Sequence, residues 1–392
     1  MARFRPRRLQ LHLVDVPFKT TFKHAAHERR SSRNVLAGFE DDQGRWGWGE
    51  GLPRDYVTGE TAEEVFSAVA KLPATVDFPA CDTPEAFAEA LTALAGHLLP
   101  QHPSGRCAVE LALLDLAGQV FETPAWRIIA SLGERTGVAV REAPQTVIHS
   151  GVIGEGTLWQ VTKRALKMRM YGLREIKVKV GSGLDEDISR LRRLRLVLGR
   201  GTDLRVDANG AWIFEEAVAA IGALSTFGIS SVEQPLAKGD ESRLATLREA
   251  SPVPIALDES LVSLADAKRA VTEGWCDLFN IRLSKCGGVV SALRLLAEAR
   301  RGGLGAWLGC MVGESPLLSA AGRAFAGIVE GLRHVEGAFD RHLFREHLAL
   351  PPVGFGRGGA GTPLDGPGLG PEMQPGLLMR WTTQWDTFNL RP

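Results

Sequence analysis

The 392-residue chain carries 46 basic and 46 acidic side chains, a formal net charge of zero, and 44% hydrophobic residues. That length suits two or three domains around a large core, and the even charge without basic runs excludes nucleic acid or an anionic membrane as a partner. No apolar stretch reaches the length of a bilayer span, and the five scattered cysteines (Cys81, Cys107, Cys276, Cys286, Cys310) form no CxxC pair, which argues against a disulfide framework or a zinc site.

The opening segment, MARFRPRRLQLHLVDVPF, has no long apolar core and no small-residue cleavage site. It reads as a first strand rather than a leader, and the protein is expected to be cytoplasmic. Residues 8–50 alternate, with DDQGR as a hairpin turn. Residues 60–133 switch to helical periodicity in TAEEVFSAVAKL, TPEAFAEALTALAGHL and RCAVELALLDLAGQVF. Thr61 and Thr83 stand where N-caps belong. Residues 1–135 are therefore expected to form an α+β domain.

From about residue 140, short apolar runs alternate with amphipathic helices. The runs end near Ser150, Lys179, Asp207, Glu233, Asp258, Arg282, Gly309 and Glu336. Each step has room for a strand, a helix and two loops. Eight such units predict a modified (β/α)8 barrel over 140–340, in preference to a doubly wound sheet, whose glycine fingerprint HSGVIGEG matches only weakly. The Gly- and Pro-rich segment from 341 to 392 is expected to pack back on the first domain as ordered loop.

The strand ends carry the chemistry, because the C-terminal strand ends of a barrel line its active site. IKVKVG ends in Lys177 and Lys179, LRVDANG in Asp207 and Asn209, SVEQPL in Glu233, and IALDES in Asp258 and Glu259. One carboxylate could cap a helix. Three on successive strands repel one another unless something neutralises them. Oxygen donors without histidine or cysteine suit Mg²⁺, with Mn²⁺ as a substitute, rather than zinc. Lys177 and Lys179 are i and i+2, so they share one face of the strand. A second ammonium and a divalent ion lower a lysine's pKa, and a lysine so placed can serve as a general base. The pattern is a recipe for removing the proton next to a carboxylate.

In order, KxK, DxN, EQP, DES, NIRLSKCGG and GCMVGES resemble the enolase superfamily, and within it the muconate cycloisomerase subgroup. That subgroup also holds dipeptide epimerases, o-succinylbenzoate synthases and N-acylamino acid racemases. WGWGEGLP, YVTGET and CAVELALLDLAGQ are similar to its capping domain and to the helix leading into the barrel. The resemblance implies that Asp207, Glu233 and Asp258 bind Mg²⁺. It also implies that Lys179 is the base, and that Lys177 polarises the substrate carboxylate. A homo-oligomer acting on a small carboxylate is implied as well.

One departure shifts the expectation. The subgroup reads N-I-K at the sixth strand, and that lysine faces the substrate from the other side. Here the row is Asn280-Ile281-Arg282, with Lys285 three residues on. Arginine stays protonated and clamps carboxylates. The substitution therefore favours one-base chemistry, a cycloisomerase or a syn-eliminating lyase. Behind it stand a racemase or epimerase of N-acyl amino acids or dipeptides and, third, a non-catalytic carboxylate-binding relative. Strand eight reads LRHVEGAFDRHLF, without the D-x-D that dipeptide epimerases use to grip an ammonium. The basic segment PFKTTFKHAAHERRSS, with Lys23 and His24, is a candidate for holding a second anionic group. Asn209, Glu259 and Glu314 complete the candidates.

Overall fold

Three glycines at alternate positions in WGWGEG decide how the first domain packs. The computed structural model describes residues 3–24 and 27–391, with side chains among these except at 21–28. Strands Pro6–His24, His27–Asp41 and Trp46–Gly51 form an antiparallel sheet. A Cβ on Gly47, Gly49 or Gly51 would stand 2.1, 2.1 and 2.0 Å from the backbone of Leu116, Ala108 and Ser104. These glycines share one face of the strand. They let helix Pro103–Val120, buried along almost its whole length, lie directly on the sheet. Asp41 closes the DDQGR turn, accepting from the N–H groups of Gln43 and Arg45 at 2.9 Å each. The two caps stand as expected. Thr61 forms a capping box with Glu64 at helix Ala62–Val69, and Thr83 accepts from Ala86 N–H at helix Pro84–Leu94.

The second architecture is the barrel. Its eight parallel strands follow in chain order: one, Gly151–Ile153; two, Glu175–Lys179; three, Asp203–Asp207; four, Val232–Glu233; five, Ile255–Leu257; six, Leu278–Ile281; seven, Gly305–Leu308; eight, Leu332–Val335. Closure between the last strand and the first is slight. His149 bridges Val335, and Ser150 N–H reaches Val335 O at 2.8 Å. This is the modified barrel with an α+β cap that the sequence leads one to expect. Two details differ. Strand one lies just past Ser150 and uses the glycine cluster itself, because a Cβ on Gly151 would meet Met168 Sδ at 2.8 Å. The C-terminal segment is not loop throughout. Thr382–Asn389 is a strand that pairs antiparallel with Pro6–His24 as the outer strand of the cap sheet. No helix among the described residues is long and apolar enough to cross a membrane.

The cap is tied to the barrel by buried polar contacts. Leu52 N–H donates to Ser284 Oγ at 2.7 Å, and Glu110 accepts from Val290 N–H at 3.0 Å. Glu50, at the end of the third cap strand, accepts from the N–H and hydroxyl of Ser315 beyond strand seven. These contacts hold the cap against the loops at the C-terminal end of the barrel.

Candidate active site

Strand two turns Ile176 and Val178 outward into the core and aims Lys177 and Lys179 inward. Lys177 is 3% exposed. Its Nζ lies 3.4 Å from Asp207 Oδ2, 3.3 Å from Glu233 Oε2 and 2.9 Å from Glu336 Oε2. Lys179 sits one step nearer the mouth, with Nζ 2.7 Å from Asp207 Oδ2 and 2.6 Å from Asn209 Oδ1.

The carboxylates stand where the strand ends put them, and all three are buried. Glu233 accepts from Asn280 Nδ2 at 2.7 Å. Asp258 is set by the neighbouring strand, since Gln234 Oε1 accepts from the backbone N–H groups of Asp258 and Ser260 at 3.0 and 3.2 Å. Gln234 does this from φ +39°, a left-handed conformation that an L-residue adopts at a cost. Asn209, also left-handed at φ +47°, donates to Glu259 Oε1 at 3.1 Å. The Glu259 Oε2 atom is buried without a hydrogen-bond partner among the described residues.

Charge is divided unevenly. Burial works against the cation at Lys177, but Glu233, Glu336 and Asp207 outweigh it and lift its pKa well above the usual lysine value. The lowering that two adjacent ammonium groups lead one to expect is thus reversed at Lys177, because carboxylates outnumber its like-charged neighbour. Burial also opposes the charge on Asp207, yet Lys179 and Lys177 hold it well below the carboxylate range. Glu233 moves up instead, through burial and the nearby Asp207.

Arg282 follows strand six and is buried. Its Nη2 contacts Asp258 Oδ2 and lies 3.7 Å from Glu233 Oε1. Lys285 is fully buried and donates to Asp258 Oδ1 and Asp258 O at 2.7 Å each, and to Asn280 O at 2.9 Å. Burial brings it down to about 8. Lys285 therefore braces Asp258. Glu314 lies in the loop beyond strand seven, where its Oε1 accepts from Met311 N–H at 2.7 Å and burial raises it to about 8. The side chains of Lys23 and His24 lie outside the described residues.

Two members of this cluster are not among the site residues expected from the sequence, although the eighth run ends at one of them. Glu336, at the end of strand eight, accepts from Lys177 and, at 2.8 Å, from Arg205 Nη2. Gln234 was visible only as the middle of EQP. His334 lies at the other end of the barrel, its Nδ1 2.9 Å from Glu175 Oε2, and takes no part in the site.

The acidic trio suits a divalent ion in chemistry. Every donor is a carboxylate oxygen, as a hard cation prefers, and Asp258 Oδ2, though it touches Arg282, is buried without a hydrogen bond among the described residues. As the side chains lie, no three such groups among the described residues converge closely enough to hold one ion. Lys177 spans Asp207 and Glu233, and Arg282 spans Glu233 and Asp258.

A capped barrel with acidic ends on strands three to five and a lysine pair on strand two is the layout of an acid–base enzyme. The chain belongs to the enolase C-terminal domain-like family, whose pattern matches residues 160–377, and so to the enolase superfamily. It is 30% identical over 310 residues to an L-Ala-D/L-Glu epimerase of Clostridium acetobutylicum, covering 79% of this chain and 83% of that one. It is 26% identical over 385 residues to an N-succinyl-L-Arg/Lys racemase of Bacillus cereus, covering 96% and 98%. In structure it resembles a dipeptide epimerase from Cytophaga hutchinsonii solved with Mg and D-Ala-L-Val. The TM-score is 0.84 at 22% identity, over 98% of this chain and 100% of that one.

Proposed function

We propose that the protein removes the proton α to the carboxylate of an N-acylated amino acid, with Lys179 as the base, and acts as a racemase or epimerase. The observation that carries this is the Lys179 amine at the barrel mouth, 2.7 Å from Asp207 and 2.6 Å from Asn209 Oδ1. The relatives named above support the racemase class, and they reverse the order in which the sequence alone ranked one-base chemistry first. The N-acyl class is favoured over free dipeptides by strand eight. Its carboxylate, Glu336, is already held by Lys177 and Arg205 and has no charge to spare for a substrate ammonium.

A divalent ion held by Asp207, Glu233 and Asp258 would supply positive charge beside the two substrate carboxylate oxygens. Lys177, kept protonated by its three carboxylates, presents a fixed cation to the same end of the substrate. Lys179 takes the proton from one face. Asn209, hydrogen-bonded to Lys179, fixes where that amine points.

One observation favours a second reading. The cation on the sixth strand is Arg282, and a guanidinium is a poor base. If no group serves the second face, the outcome is one-base elimination or cycloisomerisation.

Proton NMR in D₂O with Mg²⁺ separates these. The substrate panel is N-succinyl amino acids, dipeptides and muconates. Lys179→Ala is expected to lower α-proton exchange by about 10²–10⁴-fold. Exchange that scrambles configuration supports the racemase, and a change of connectivity supports the second reading. Exchange that survives in Lys179→Ala overturns the assignment of the base. A panel that never exchanges points to a protein that binds carboxylates without reacting.

A further inference from the structure

We propose that Arg282 is a tethered cation that competes with the divalent ion for Asp258 and Glu233, so that the metal seats only as the guanidinium leaves. The proposal rests on the metal-assisted reading above.

Arg282 Nη2 touches Asp258 Oδ2 and stands 3.7 Å from Glu233 Oε1, between two of the three oxygen donors. The other oxygen of Asp258 is held by Lys285 at 2.7 Å. Asp258 thus meets a cation on each oxygen. The guanidinium touches that oxygen without a hydrogen bond to it, so what it takes there is space and charge, which a metal on Asp258 would need for itself. The charge is fixed as well. A lysine can shed its proton when a dication arrives, whereas a guanidinium keeps its charge at any ordinary pH. Repulsion between the two cations in a buried site is weakly screened, and it is relieved only if the side chain moves.

The rest of the guanidinium is lightly held. Among the described residues Nε has no hydrogen-bond partner, and Nη1 meets the thioether of Met311 at 3.6 Å. No backbone carbonyl among the described residues pins it, in contrast to Lys285, which is pinned by two. Of the two cations on Asp258, Arg282 is therefore the one free to move.

Mn²⁺ titrated into metal-stripped protein and followed by electron paramagnetic resonance tests this without reference to turnover. Arg282→Met is expected to bind Mn²⁺ at least tenfold more tightly than the native chain. Arg282→Lys should fall between them. Metal-free Arg282→Met should also melt at a lower temperature than the native protein and recover with Mn²⁺. Equal or weaker Mn²⁺ binding by Arg282→Met overturns the proposal. Should that variant fail to fold, the native chain still decides. Phenylglyoxal modification of Arg282, read by peptide mass, should speed up at least threefold when Mn²⁺ is added. An unchanged or slower rate overturns the proposal. If folded native and variant chains both ignore Mn²⁺, the metal site itself is misread. If competition is seen but no substrate exchanges, only the assignment of the reaction fails.

Discussion

Lys177 answers to three carboxylates at once. Asp207, Glu233 and Glu336 all lie within 3.4 Å of its amine, and all four side chains are buried. Removing that cation leaves buried negative charge uncompensated, which costs far more than the pair itself contributes. Lys177→Met is expected to lower the free energy of unfolding by about 3–5 kcal/mol, measured by urea denaturation. Lys179→Ala, at a site nearer solvent and with Lys177 still beside Asp207, should cost less stability than Lys177→Met while exchange collapses. Equal losses in the two variants would mean that the ion cluster is not what holds strand two. The lysine pair and the three acids were readable because each sits at a strand end, at a spacing that a barrel imposes. Gln234 and Glu336 were not readable as site residues, although Glu336 also ends a run. The role of Gln234 depends on a left-handed backbone and on a partner strand, and that of Glu336 on Arg205, which reads as one polar residue within a strand.

Strand Trp46–Gly51 and helix Pro103–Val120 show how an element can be fixed by what it lacks. Gly49 faces Ala108 O, and a methyl group there would arrive at 2.1 Å. Gly49→Ala forces the helix away from the sheet. Overpacking of this kind costs about 1–3 kcal/mol, so a fall of several degrees in melting temperature is expected by calorimetry, with the barrel strands intact by circular dichroism. An unchanged melting temperature would show that the helix yields without cost. The motif was legible as alternation, and its reason appears only with the helix in place. Strand Thr382–Asn389 was not legible. Its residues are mostly exposed, Trp385 at 53%, so no buried face leaves an alternating signature, and its partner is far away in sequence.

At the scale of the whole molecule, the seam between cap and barrel carries a pH dependence. Glu110 spans it, with Oε1 on Val290 N–H and Oε2 buried without a hydrogen-bond partner among the described residues. Burial raises this carboxyl from 4.5 to about 7, against the pull of the Val290 N–H and Arg106. A raised carboxyl favours the folded state while it keeps its proton. Its contribution is full below about pH 4.5 and is lost as the pH rises through about 7. Glu110→Gln keeps the acceptor for Val290 and removes the titration. The unfolding free energy of the native chain should therefore fall between pH 5 and 8 more steeply than that of Glu110→Gln. Parallel profiles would show that other groups set the slope.

The cap sheet also has a history in time. His12 on its first strand bonds Thr382, 370 residues away, where the outer strand begins. At about 5–20 residues per second, a ribosome needs roughly 20–70 s to make the intervening chain. For that interval the first strand waits with one edge open, exposed to any other nascent chain that can pair with it.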